Sequence, residues 1–517
     1  MGRAEKAIVS VMLLVSRINV QAGHRVKNKI AAMPAVDTQT GSGFTAAMRP
    51  LPKRFAPDRR QFLASTALTV TAVASGLSPF SLEAQVPGER PKTPDDVTVL
   101  NPRGRVPVGL IIDDSTCLVN LNRFAMPQFD TAFAGAAEVY HRNWREWPVE
   151  IPDAFVRKFG EWSAEHGVKG KYSIVPYPAC VGRLDRMLPG WTQQELQDSL
   201  NLVRSVMLPN WDIHPEMVTH TRVIDIRTGH PHPEHSLKFM ENWEWTTGRS
   251  VDEIASYQAY ALQILKNVGL PCEGITTPGG FGNKALPQLA QATLESVRDV
   301  FKAEIPHYFR HLYDKGSESV APRVEYASGL DGPEPRCVVS IIGCSGDWTG
   351  GWDNTTPGGV DKFISPDLQS GRIVDVIQRG EPALMLAHWT GMHWNGQELG
   401  FKIFQEVVRR LQQRFNHLVW MKLSEVSRYW AARELTSIER LPDRIKLRAP
   451  FSCPSFTLRF SAPANALPKF TIERQPPLSY TEVKSTLNLR NGTWCREGNH
   501  ITVCFDLPKG NSEWVLG

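Results

Sequence analysis

Acidic and imidazole side chains follow the ends of apolar runs along this 517-residue chain. The run at 106–112 ends in Asp113-Asp114, and that at 211–218 contains Glu216 and leads into His220. Three later runs open into Pro278-Gly279-Gly280, Asp347-Trp348 and His388-Trp389. Oxygen and imidazole ligands of this kind can hold a divalent cation while a further carboxylate takes a proton from bound water. Two carboxylates can instead cleave a glycosidic bond, one as acid and the other as nucleophile or base. Asp113 or Asp114 with Glu216 or Asp347 would form that pair, and their separation discriminates between the two chemistries.

Either chemistry needs the run ends on one face. Strand-length runs at 106–112, 171–175, 211–218, 274–277, 338–342, 383–387 and 417–421 alternate with segments of helical period. These lie at 151–166, 192–207, 250–268, 284–302, 397–415 and 424–434. Within 250–268, Ile254, Tyr257, Ala261, Ile264 and Leu265 recur at the spacing of a buried helical face. Alternating units of this kind predict a parallel sheet. The expected fold is α/β, a distorted (β/α) barrel of about seven parallel strands over 106–438, with its functional groups beyond the strands' carboxyl ends. From 439 to 517 short extended stretches separated by Pro, Asn and Gly predict a small C-terminal antiparallel β domain. There the alternation of Phe456, Leu458 and Phe460 predicts a buried face.

The basic character of the chain is confined to its start. Residues 1–84 hold 11 of the 58 Lys and Arg and 4 of the 53 Asp and Glu, leaving 47 basic against 49 acidic side chains. The remainder therefore offers no footprint for nucleic acid. Arg59-Arg60-Gln61-Phe62-Leu63 heads an uncharged apolar run to about Leu77, the pattern of a twin-arginine export signal. The expected location is the periplasm or the cell exterior. Residues 1–47 precede Met48 and read as a possible over-extended start, and 85–105 reads as a linker. No segment after the leader reaches the length of a membrane span. The eight cysteines lack CxxC spacing, which argues against a structural thiolate zinc site. Cys495 and Cys504 could bridge a terminal hairpin or remain buried thiols.

The order of these stations resembles the polysaccharide deacetylases, carbohydrate esterases that remove acetyl groups from glycans. The resemblance spans about residues 106–435. It rests on Leu110-Ile111-Ile112-Asp113-Asp114, on Glu216-Met217-Val218-Thr219-His220-Thr221, on Gly274-Ile275-Thr276-Thr277-Pro278-Gly279-Gly280 and on Leu384-Met385-Leu386-Ala387-His388. It implies an exported, metal-dependent hydrolase acting on carbohydrate. A divalent metal, zinc by default, would be bound by Asp114 and His220, with Asp113 as general base and His388 as general acid. The family's second motif carries another histidine four positions on, where this chain has Ile224. The third ligand then falls to a neighbour: Asp225, with His214 and the cluster His230, His232 and His235 as further candidates.

Glu216, Pro278 and Gly279 would line the substrate, the last two beside a backbone N–H that holds the oxyanion. Trp389 and His393 in the next loop would also touch it. Trp243, Trp245, Trp348, Trp352 and Trp394 fall near the expected strand ends, where flat rings suit stacking on sugars. Two other readings accompany the deacetylase: a glycoside hydrolase with paired carboxylates, and a non-catalytic carbohydrate-binding barrel.

Overall fold

The computed structural model describes residues 90–473 and 475–517. The twin-arginine pattern and residues 1–84 lie outside the described residues. Seven parallel strands carry the candidate groups: β1 (Val106–Asp113), β2 (Gly170–Ile174), β3 (Trp211–Pro215), β4 (Gly274–Thr276), β5 (His307–Leu312), β6 (Arg336–Gly343) and β7 (Ala383–His388). They form two sheets, one ordered β7-β1-β2-β3 and the other β4-β5-β6. Arg323–Ser328 adds antiparallel to the outer edge of β6, and Leu418–Trp420 pairs in parallel with the start of β1.

The two sheets meet without a continuous ladder. One seam is a single parallel bridge from Glu216 to Thr276, and the other a hydrogen bond from Cys344 N to Leu384 O of 2.8 Å. The architecture is mixed α/β and barrel-like, and among the described residues the expected distorted barrel is two sheets joined by these contacts. The expected strands also missed β5. Its sequence, His-Tyr-Phe-Arg-His-Leu, mixes two histidines and an arginine with its apolar residues and so does not read as an apolar run.

Helices occupy the connections for local reasons. Ser250 and Glu253 form a reciprocal capping box at the start of Val251–Asn267, and Thr192 with Glu195 does the same for Gln193–Leu202. The face of Val251–Asn267 that carries Ile254, Tyr257, Ala261, Ile264 and Leu265 is buried. Alternation divides β1 in the same way. Val108, Leu110 and Ile112 pack into the core shared with the helices, whereas Ile111 joins Phe309, Val339, Ile341, Leu384 and Leu386. That second set lines the inside, so Asp113, two positions after Ile111, also points inward.

The C-terminal region forms two five-stranded, mainly antiparallel sheets. Phe456, Leu458 and Phe460 are fully buried, as their alternation requires. Val97–Val99, inside the segment read as a linker, is a strand paired with Cys453–Ser461. All eight cysteines are unpaired. On the terminal hairpin Cys495 opposes Thr502 and Cys504 opposes Thr493, so neither cysteine faces the other. Among the described residues, no helix is long and apolar enough to cross a membrane.

Candidate active site

The inward register of β1 and β2 builds the first element of the site. Lys171, fully buried, donates through Nζ to Asp113 Oδ1 and to Ser173 Oγ, and Ser173 Oγ lies 3.2 Å from the same carboxylate oxygen. Burial pushes the Asp113 carboxyl above its ordinary range, against the pull of the lysine charge. Asp113 is therefore not the free base that was expected. Its carboxylate is an ion-pair partner for a buried lysine.

The second element is a turn after β3. Met217 and His220 both hold left-handed backbone, with φ of 51° and 61°. That cost is met by Glu241, a fully buried carboxylate that accepts the N–H groups of Val218, Thr219 and His220, the last at 2.6 Å. Successive main-chain donors around one anion make a nest, and the Tyr257 hydroxyl, 2.5 Å away, donates to it as well. Burial raises Glu241 to about 7 in spite of these donors.

This turn aims His220 at two carboxylates. Its Nε2 lies 3.2 Å from Glu216 Oε1 and 3.4 Å from Asp114 Oδ1. Glu216 Oε2 accepts the Asp114 N–H at 2.8 Å. Asp114 itself sits at φ 67°, just past the strand end, and its Oδ2 has no hydrogen-bond partner. The two carboxyls are only 2% and 3% exposed, yet their environments drive them apart. Burial raises Asp114 to about 6, with His388 and His220 opposing it. Burial also acts on Glu216, but the charge and hydrogen bond of His220 and the charge of Lys171 overcome it, holding Glu216 near 2. Desolvation pulls His220 down, and Glu216 and Asp114 together outweigh it, placing the imidazolium at about 9.

His388, at the end of β7, completes the cluster. Its Nδ1 is 3.0 Å from Asp347 Oδ2, near enough for an ion pair although poorly angled for a hydrogen bond. Burial opposes its charge, but Asp347, Asp114 and Asp113 raise it to about 10. Asp347 is fixed in turn by the Trp352 N–H at 2.6 Å.

Other expected site residues lie elsewhere or act indirectly. Pro278 and Gly279 shape a turn whose Gly280 N–H binds Asn242 O, while the Asn242 side chain stands 3.4 Å from His220 Nδ1. At φ 43° and with Asn242 O 3.0 Å from where a Cβ would sit, position 279 has little room for a larger residue. Trp389 is corrected from substrate contact to core, buried among Phe155, Phe159 and Tyr172. His393 packs on the Phe155 ring. Asp225 is also corrected: it belongs to a surface hairpin and bonds Arg227, away from the cluster. His232 stacks on Phe239 and His235 bonds Gln128 O, so neither is a ligand here. Lys171, Glu241 and Asn242 were missed. Only Lys171 left a signal, as a charge two positions from Ser173 in a strand.

Asp114, Glu216 and His220 each bring one atom to within 4.8 Å of the others, and so do Asp212, His214 and His307. In the second group His214 Nε2 meets His307 Nε2 at 2.9 Å, and both side chains are fully buried. Asp212 is turned to Ser424, accepting its N–H at 2.6 Å. Burial lowers His214 far below its ordinary range and takes His307 to about 4. An unfolded histidine gains its proton near 6.5, so this pair contributes stability above that pH and loses it as pH falls toward 4. The wild type is expected to lose stability relative to a His214→Gln/His307→Gln double variant between pH 7 and 5. Urea melts of both proteins at each pH measure it, and parallel curves would refute it.

No family model and no curated protein matches the chain. Among solved structures it is similar to endo-glycoceramidase II from Rhodococcus sp., seen as a lactosyl-enzyme intermediate. The identity is 11%, the match covers 81% of this chain and 99% of that one, and the TM-score is 0.25. The α-fucosidase of Thermotoga maritima gives 11% identity over 79% and 94% of the chains, with a TM-score of 0.27. A glycoside hydrolase family 30 xylanase from Clostridium acetobutylicum gives 7% over 71% and 92%, with a TM-score of 0.23. These are glycoside hydrolases and none is a polysaccharide deacetylase. Neither the deacetylase expectation nor the zinc that came with it has a counterpart among these matches.

Proposed function

We propose that the chain is an exported carbohydrate-acting hydrolase that cleaves a glycosidic bond with the carboxyl pair Asp114 and Glu216. The observation that carries this reading is the divergence of two adjacent buried carboxyls, one held near 6 and the other near 2. Pairs driven apart in this way supply an acid and a base or nucleophile at one pH. Asp114 is the acid: its Oδ2 is free of protein partners and can give a proton to the departing oxygen. Glu216 is the nucleophile, kept ionised by His220 and Lys171. One oxygen of each lies within 4.8 Å of the other, short of the roughly 6.5–9.5 Å that leaves room for a water in inverting enzymes. Attack by a Glu216 oxygen on the anomeric carbon breaks the glycosidic bond as Asp114 protonates the leaving group. Asp114, now ionised, then takes a proton from the water that hydrolyses the ester.

The pH profile follows from the same two groups. Activity requires ionised Glu216 and protonated Asp114, so kcat/KM should hold between about 2 and about 6 and fall about tenfold per unit above that. The deciding experiment is intact-mass spectrometry of the protein mixed with 2-fluoro glycosides carrying good leaving groups. One added glycosyl unit, mapped to the peptide containing Glu216, is expected. Hydrolysis without any adduct, or release of acetate from acetylated sugars with no glycosidic cleavage, would overturn the reading.

A further inference from the structure

Beside the carboxyl pair stands an aromatic wall that the reaction does not use. Trp243 and Trp352 are both half-buried, unlike Trp389 and Trp245 in the core. Phe129 joins them, with ring centroids 5.2 Å from Trp243 and 6.2 Å from Trp352, edge to face in both cases. Each tryptophan is tied to the cluster by its own backbone neighbourhood. Trp243 follows Asn242, whose side chain faces His220, and Trp352 holds Asp347, the partner of His388. The Trp352 carbonyl is also fixed by the Thr390 hydroxyl at 2.9 Å. The two residues therefore flank the cluster, Trp243 next to the neighbour of His220 and Trp352 next to the partner of His388. Asn242, only 7% exposed, leaves its Oδ1 without a donor, and Asp347 Oδ1 has none either. Buried acceptors are normally paired, so two of them beside this wall call for a ligand that brings hydroxyl donors.

We propose that the wall binds an extended, uncharged oligosaccharide, with successive sugar rings on Trp243 and Trp352. This deepens the glycosidase reading and rests on it: the hydrolase would act on a chain of several sugars. Flat indole faces suit the C–H faces of sugar rings, and the unpaired oxygens accept their hydroxyls.

Binding can be read without turnover by calorimetry on the Glu216→Gln protein, with cello-, xylo- and manno-oligosaccharides and the matching monosaccharides as probes. At least one series should bind more tightly as the chain lengthens, and Trp243→Ala or Trp352→Ala should weaken its longest member about tenfold or more. Trp243→Phe and Trp352→Phe keep an aromatic face and should retain most of the affinity, which guards against a misfolded alanine variant. Affinity that ignores chain length, tryptophan variants that bind as well as their parent, or no binding by any probe overturns the proposal. Length- and tryptophan-dependent binding by a protein whose wild type cleaves no glycoside would sustain the wall and sink the carboxylate mechanism alone.

Discussion

Glu216→Gln is expected to lower glycoside hydrolysis about 10⁴-fold or more, mainly in kcat, with the fold retained. The amide has nearly the shape of the carboxylate but is a poor nucleophile. It also disturbs the arrangement it replaces, because Glu216 accepts at both oxygens, from the Asp114 N–H and from His220. Gln offers one oxygen and one NH2, so with the oxygen kept on the Asp114 N–H the NH2 faces His220, which can accept it only as the neutral imidazole. With Glu216 no longer charged, His220 should fall from about 9 toward its ordinary value, a change visible by NMR titration of its ring. Glu216→Ala supplies the complementary test. Added azide should restore part of the rate and yield a glycosyl azide, since a small anion can take the place of the missing nucleophile. A variant that keeps more than about a tenth of wild-type activity would remove Glu216 from the chemistry.

Lys171→Met should destabilise the protein by about 3–5 kcal/mol at pH 8, the cost of leaving a buried charge without its partner. Methionine fills most of the lysine volume, so the loss is electrostatic rather than a cavity. Asp113 loses Nζ, and with it the group that also anchors Ser173. The penalty should shrink on acidification. Burial already pushes Asp113 upward, and without the lysine it can escape the penalty by taking a proton. Adding Asp113→Asn to Lys171→Met should recover much of the loss at pH 8, because the orphaned charge is then gone. Urea denaturation of the two variants and the wild type at pH 5.5 and 8 measures this. Equal losses at both pH values, or no recovery in the double variant, would show that Lys171 serves packing alone.

Several features of the fold were legible because they are local. The helical segments beginning near 192 and 250, the helical spacing from Ile254 to Leu265 and the alternation of Phe456, Leu458 and Phe460 need only neighbours in sequence. Strand β5 escaped because it places polar residues on the inner wall: His307 faces His214 across Gly274, where a Cβ would come within 2.7 Å of both imidazoles. Trp389 follows a strand end, the position expected of a substrate-facing residue, but its helix turns it into the core between Phe155 and Phe159. Asp225 is close to His220 in sequence, yet the hairpin of Ile224–Asp225 with His230–Pro231 carries it to the surface.

By itself the sequence determined the residue types at the strand ends and the α/β alternation that would gather them, since periodicity and turn chemistry are encoded within a few residues. It also held Asp113, Asp114, Glu216, His220 and His388, but not their roles. Those depend on side chains brought from far along the chain: Lys171 to Asp113, Glu241 beneath His220, Asp347 to His388. Each carboxyl's proton affinity is set by burial and by which cation faces it, and both are properties of the packed structure. The tertiary fold therefore decided that Asp113 is paired with Lys171, that Glu216 is held charged and that burial raises Asp114.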